Sequence, residues 1–403
     1  MSHSSGEEFD KARLRRIGPA MQGYVEHGVY SGVSVLVARA GEIAYSAQFG
    51  DRDREAKTAM TQDTIFRLYS MTKPIVCTAL MTLVEEGRLR LVDPVAKFIP
   101  AFGVAKVFAP RGELVAQRRP MMVCDLLTHT SGLTYGFLED FPVGRDYART
   151  RLFDPRASLS EAIDDLAALP LAFQPGERFH YSVGIDVAAR LIEIVSGKSL
   201  GAFLSERLFE PLKMADTAFV VPEGKRDRLA AIYGRPNGAS YRTAFERWRE
   251  GYNERIDVTQ SHPADAPSQY ERGGHGLFGT IGDYFRFAQM LCNGGALDGA
   301  RVIGRKTLEL MHMNHLRPDM LPIEIGGLPL AGYGFGLGSR VLIDVAASGA
   351  PGSVGEFGWA GAAKTHFWVD PRERIVALFM TQSMMSFDLP ELDLRALVYQ
   401  ALD

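Results

Sequence analysis

The chain of 403 residues, 46% hydrophobic and 23% charged, has the composition of a globular protein with roughly two to three structural units; it is not disordered, collagenous or membrane-spanning in character. A formal charge of -3 and the absence of a long Lys/Arg run exclude a phosphate track, so nucleic acid is not an expected partner. Cys77, Cys124 and Cys292 form no CxxC pair, the first sixteen residues are polar, and no apolar run reaches ~18 residues, which together predict a cytoplasmic chain without a membrane span.

A helix is predicted over 9–26, followed by two β-rich stretches, 31–39 and 42–48, joined at Ala40-Gly41 as a hairpin. Thr64 to Tyr69 leads into Ser70, after which Ile75, Ala79, Leu80 and Leu83 recur at the spacing of one buried helical face, giving a helix over 70–86. Pro74 falls in its first turn, where a missing N–H does little harm, and Gly87 is placed to end it. Ile185, Ala188, Ala189, Ile192 and Val195 form a second stripe closed by Gly197, and Tyr284, Ala288, Gln289 and Leu291 a third before Gly294-Gly295. The segment 222–276 is rich in Arg, Gly, Pro, Asn and Tyr and has little periodicity, the pattern of a wall or lid over a pocket. Strands over 335–343, 361–369 and 375–380 precede a closing helix over 389–402.

Strands at both ends around a helical middle predict an α/β (α+β) fold with one antiparallel sheet built from both termini and flanked by helices. The sheet domain would comprise 1–69 and 296–403, and the inserted, mainly helical domain 70–295.

Ser70 and Lys73 stand three apart at a helix start, so one turn places the ammonium beside the hydroxyl. A desolvated lysine can lose its charge and help a serine attack a carbonyl, and the free N–H groups of the first turn suit a developing oxyanion. Composition alone produces about one SxxK in a chain of this length, so the motif needs its context. Gly197-Lys198-Ser199-Leu200-Gly201 competes with it by matching GxSxG. A nucleophile elbow needs a strand running into the serine, however, and here a helix arrives and stops at Gly197. Ser199 is therefore read as a helix N-cap.

Phe66-Arg67-Leu68-Tyr69-Ser70-Met71-Thr72-Lys73-Pro74 resembles the first motif of class C β-lactamases and family VIII carboxylesterases. Leu126 to Leu133, Pro175 to Ser182, Gly276 to Thr280 and Trp359-Ala360-Gly361 resemble that family's later landmarks in order, covering roughly residues 25 to 385. The resemblance implies the serine β-lactamase/DD-peptidase-like fold, with Ser70 as nucleophile, Lys73 as its partner and Tyr181 as the tyrosine that moves the proton. Lys73 and Tyr181 would share that proton, the ammonium favouring phenolate. The N–H groups of Ser70 and Ala362 would form the oxyanion hole.

Two departures bear on the substrate. Trp359-Ala360-Gly361 stands where lactamases carry Lys-Thr-Gly, and the alternative register, Lys364-Thr365-His366, puts imidazole where only glycine lets the substrate lie against the strand. Val183 stands where they carry asparagine. Both changes leave a more apolar site, favouring a small, short-chain carboxylic ester over a β-lactam. An acyltransferase with the same nucleophile is the nearest alternative, followed by a weak β-lactamase or D-amino-acid peptidase and, last, a ligand-binding relative without activity.

Other residues carry weaker signals. His129 is read as a structural, hydrogen-bonded histidine, and His312 and His315 lack a third ligand, so no metal and no cofactor is expected. Tyr135, together with Tyr241, Phe245, Trp248 and Tyr252, is a candidate for the acyl or alcohol pocket, with His275 at its rim.

Overall fold

The computed structural model describes residues 9–109, 111–138, 141–234, 254–259, 261–265, 269–384 and 389–402. Its frame is one eight-stranded sheet. The first strands are β1 (Gly32–Arg39), β2 (Glu42–Asp53) and β3 (Thr58–Ala59); β4 (Ile65–Arg67) and β5 (Phe278–Thr280) form a separate pair. The last are β6 (Tyr333–Phe335), β7 (Arg340–Leu342), β8 (Phe357–Ala360), β9 (His366–Asp370) and β10 (Ile375–Met380). The sheet runs β6-β7-β8-β9-β10-β1-β2-β3 with every neighbour antiparallel. Both ends of the chain thus build one sheet, as the β-rich stretches at the two ends predict.

The central strands are apolar at successive positions because both sheet faces are covered. Val33, Val35 and Val37 of β1, with Ala377 and Phe379 of β10, join the cluster formed with α1 (Ile17–Glu26) and α5 (Pro390–Tyr399). Leu36 and Ala38, with Val376, Leu378 and Met380, face the other cluster. That second cluster holds α2 (Thr72–Glu85), α3 (Gly184–Ser196) and α4 (Ile281–Cys292), with α4 packed on β9 and β10 and α2 on α3.

Three elements differ from expectation, each for a local reason. The helix predicted over 9–26 is split into a turn at Lys11–Leu14, capped by Asp10, and α1, because Pro19 has no N–H to continue the ladder from the preceding turn. The strand predicted over 335–343 is the hairpin β6–β7, turned at Gly336-Leu337-Gly338. Gly338 has φ +104, and a Cβ there would meet Cys77 Cβ at 2.5 Å, so the turn is pressed onto α2. The strand predicted over 361–369 forms only from His366, as β9; residues 361–365 are a turn between β8 and β9, with Lys364 at φ +63.

Ser199 caps the short helix Leu200–Leu204, its Oγ accepting the Ala202 N–H at 3.2 Å, while Gly197 ends α3 in the left-handed conformation. No strand enters it. Within 222–276 the described residues form a 3₁₀ turn at Glu223–Arg228 and the pair Tyr233–Gly234 with Glu254–Arg255. Tyr241, Phe245, Trp248 and Tyr252 lie outside the described residues. Among the described residues no helix is long and apolar enough to cross a membrane.

Candidate active site

Ser70 sits where β4 turns into α2. The strand is held on one edge by β5, and Leu68 donates its N–H to Leu277 O at 2.9 Å. On the other side the Gln382 side chain accepts the Arg67 N–H at 3.0 Å and donates to the Arg67 carbonyl at 3.1 Å, acting as one more rung of a ladder. The chain then bends sharply: Tyr69 has φ +46, and Tyr69–Met71 form a 3₁₀ turn before α2 begins at Thr72. A non-glycine residue in the left-handed region costs energy and persists only when its surroundings enforce it. Here two clamped strands and a buried helix enforce it, and the result is a partly exposed serine at a helix start.

Lys73 follows within the first turn of α2 and is 1% exposed. Its Nζ donates to Ser70 Oγ at 3.0 Å and to Gly274 O at 2.7 Å, and lies 4.7 Å from the centre of the Tyr181 ring and 5.4 Å from that of Tyr135. Burial pulls the ammonium from 10.5 down to about 7, with Asp186 and then Cys77 acting in the opposite direction. The Tyr181 hydroxyl donates to Ser70 Oγ at 2.7 Å. Burial pushes its phenol above the usual tyrosine value, more than the Ser70 contact lowers it. The phenolate expected from the nearby ammonium is thus opposed by desolvation. Burial favours the neutral phenol, and near pH 7 it leaves the Lys73 amine about half protonated.

Tyr181 is held from behind by His129. The His129 carbonyl accepts the His180 N–H at 2.8 Å, and Nδ1 accepts the Ser182 N–H at 3.2 Å, so the ring proton resides on Nε2. The imidazole packs 4.8 Å from the Tyr181 ring, and burial keeps it neutral. Trp359 and Tyr135 flank Tyr181 at 5.6 and 5.5 Å between ring centres. Val183, the N-cap of α3, is 1% exposed.

Among the described residues neither the Ser70 N–H nor the Ala362 N–H has an acceptor, whereas the Met71 N–H reaches Leu68 O at 3.1 Å. Gly361 N–H reaches Thr365 O at 2.7 Å, and Thr365 Oγ1 donates to Leu68 O at 3.2 Å, tying the 361–365 turn to the nucleophile's strand. Gly361 is needed there for packing: a Cβ would lie 2.3 Å from Leu68 O and 2.2 Å from Thr365 Oγ1. The close approach anticipated for a substrate is made by the protein's own backbone. In this register Lys364 points to Glu391 at 3.9 Å, and His366 is buried against Arg340 at 2.8 Å.

Ser70, Lys73, Tyr181, Tyr135 and Trp359 therefore converge. His312 stacks on Phe357 and His315 bonds the Leu310 carbonyl, and among the described residues no three metal-ligating side chains cluster. His275 is 6% exposed, with Nε2 against the Tyr270 hydroxyl at 3.1 Å. Asp186, Gly274 and Gln382 also build the site, and no local motif marked them.

Residues 19–401 match the sequence family described as Beta-lactamase. The chain belongs to the beta-lactamase family. Within it, Esterase EstB of Burkholderia gladioli is 34% identical over 361 residues, 87% of this chain and 86% of that protein. Among solved structures, EstCE1, "a hydrolase with promiscuous acyltransferase activity", superposes with a TM-score of 0.80 at 26% identity, over 96% of this chain and 99% of that one. A family VIII carboxylesterase shares the fold at a TM-score of 0.71 and 19% identity, over 97% of this chain and 98% of that one.

Proposed function

We propose that this chain is a serine carboxylesterase that cleaves small carboxylic esters through an acyl-enzyme on Ser70. The observation that carries the reading is the pair of contacts on one oxygen: Ser70 Oγ lies 3.0 Å from a buried amine that is half neutral near pH 7 and 2.7 Å from a phenol. In this reading Oγ attacks the ester carbonyl as its proton passes to neutral Lys73. The Ser70 and Ala362 N–H groups hold the oxyanion, each worth about 3 kcal/mol to the transition state. The tetrahedral intermediate collapses, the C–O bond to the alcohol breaks, and the alkoxide takes a proton through the Tyr181 hydroxyl, which Lys73 replenishes. Water then attacks the acyl-enzyme by the reverse sequence and releases the acid.

Val183 and Trp359 favour a simple ester, since neither offers the amide or cation that would hold a penicillin's side chain and carboxylate. EstB and EstCE1 support the same class. The name of EstCE1 also favours a second reading, in which an alcohol replaces water in the second step. Free thiols at Cys77, Cys124 and Cys292 suit the reducing cytoplasm, which is part of the proposal. The test is a rate comparison. Nitrophenyl butyrate should be cleaved far faster than nitrocefin, and Ser70→Ala should lower ester cleavage by about 10⁴-fold or more. Nitrocefin turnover rivalling that of the best ester would contradict the proposal, and product partition towards an added alcohol would select the transferase.

A further inference from the structure

Asp186 lies in the first turn of α3, 0% exposed, and uses only one of its oxygens. Oδ1 accepts the Gly274 N–H at 2.8 Å, while Oδ2 has no partner among the described residues. A carboxylate can accept about four hydrogen bonds, so one left with a single donor in the interior is costly unless a cation compensates it. Lys73 supplies that cation through the same residue. Its Nζ donates to the Gly274 carbonyl, so Gly274 carries the carboxylate on its N–H and the lysine on its C=O. A Cβ at 274 would meet Asp186 Oδ2 at 2.4 Å and the Tyr135 hydroxyl at 3.0 Å, which is why glycine stands there.

Among the described residues the remaining groups around Lys73 are not anions. From α2, Cys77 is a thiol that burial keeps protonated, and from the loops His129 and His275 are imidazoles that burial keeps neutral. Tyr135 and Tyr181 present ring faces. On the far side of Asp186 the other cation is Arg272, buried and bonded to the carbonyls of Leu152 at 2.7 Å and Ala157 at 2.9 Å. Burial drives Asp186 towards its protonated form and Lys73 opposes that, while the reverse pull acts on Lys73.

We propose that Asp186 is a positioning residue that sets the proton affinity of Lys73, acting as its buried countercharge and fixing, through Gly274, the place from which the amine reaches Ser70. The proposal rests on the ester-cleavage reading. Its test is the pH dependence of Ser70 labelling by a fluorophosphonate, read by intact mass for the wild type and for Asp186→Asn. Asparagine keeps an oxygen for the Gly274 N–H and removes the charge, so Lys73 gives up its proton more readily and the acid limb moves down by about one pH unit. A purely structural role would lower the plateau and leave the limb in place, and that result overturns the proposal. Should Asp186→Asn not fold, Gly274→Ala displaces the carboxylate from the opposite side and should move the limb in the same direction. A wild type that is not labelled at all would overturn both readings, whereas a labelled wild type whose limb coincides with that of the variant overturns only the role of Asp186.

Discussion

Two buried ionic clusters in this protein are built in opposite ways. On the sheet, Arg395 grips both oxygens of Glu356, one of them at 2.6 Å, and the Tyr399 hydroxyl lies 3.0 Å from Glu356 and 2.7 Å from Asp370. The guanidinium also covers the Trp368 ring at 4.9 Å. At the site, Lys73 and Asp186 meet only through Gly274, and one carboxylate oxygen is left unpaired among the described residues. Both clusters are out of water, so the desolvation problem is similar, but only the first is closed. A closed network fixes geometry; an open one leaves a proton loosely held, as acyl transfer near pH 7 requires.

The largest expected effect breaks the open cluster. Lys73→Met should lower kcat/KM for esters by about 10³-fold, measured at saturating pH, because among the described residues no other group within reach of Ser70 is a neutral base. The same variant reads the proton through stability. The folded value of Lys73, about 7, lies below its ordinary 10.5, so between these limits the unfolded chain binds the extra proton. The burial cost is fully present below pH 7 and disappears as the pH climbs to 10.5, so wild-type stability should rise relative to Lys73→Met across that window in denaturant titrations. A flat difference would contradict the assignment.

Breaking the closed cluster should do the converse. Arg395→Met leaves Glu356 buried without its cation and should cost about 3–5 kcal/mol in denaturant unfolding, with kcat/KM unchanged in the folded fraction. A large loss of activity at full stability would erase the distinction between the two clusters. The smallest effect concerns the GxSxG look-alike: Ser199→Ala should cost about 1 kcal/mol of stability as a lost N-cap and leave ester cleavage unaltered.

The frame was largely legible from local pattern, because the apolar spacing after Ser70 and the β-rich, apolar stretches at both chain ends are dictated by burial. What misled was two turns next to apolar strands. Gly336-Leu337-Gly338 separates β6 from β7 without a charged residue, so that hairpin reads as one strand, while the 361–365 turn reads as the start of β9; the positive φ at Gly338 and Lys364 marks each bend. Ser70, Lys73 and Tyr181 could be brought together from motifs in sequence order. Asp186 could not, since an acidic residue in the first turn of a helix is ordinary there. Its meaning depends on a contact with Gly274, 88 residues away. The desolvation of Tyr181 was equally illegible, because it comes from the packing of His129, Tyr135 and Trp359 around its ring, which no local motif shows.

The most direct test of the account is rapid acid quench of the wild type with nitrophenyl butyrate, followed by intact-mass and peptide mapping. The expected result is a burst of nitrophenol with one butyryl group on Ser70, its rate rising through an apparent pKa near 7 as Lys73 loses its proton. Full ester turnover with the acyl group on another residue, or turnover that survives Ser70→Ala, would contradict it.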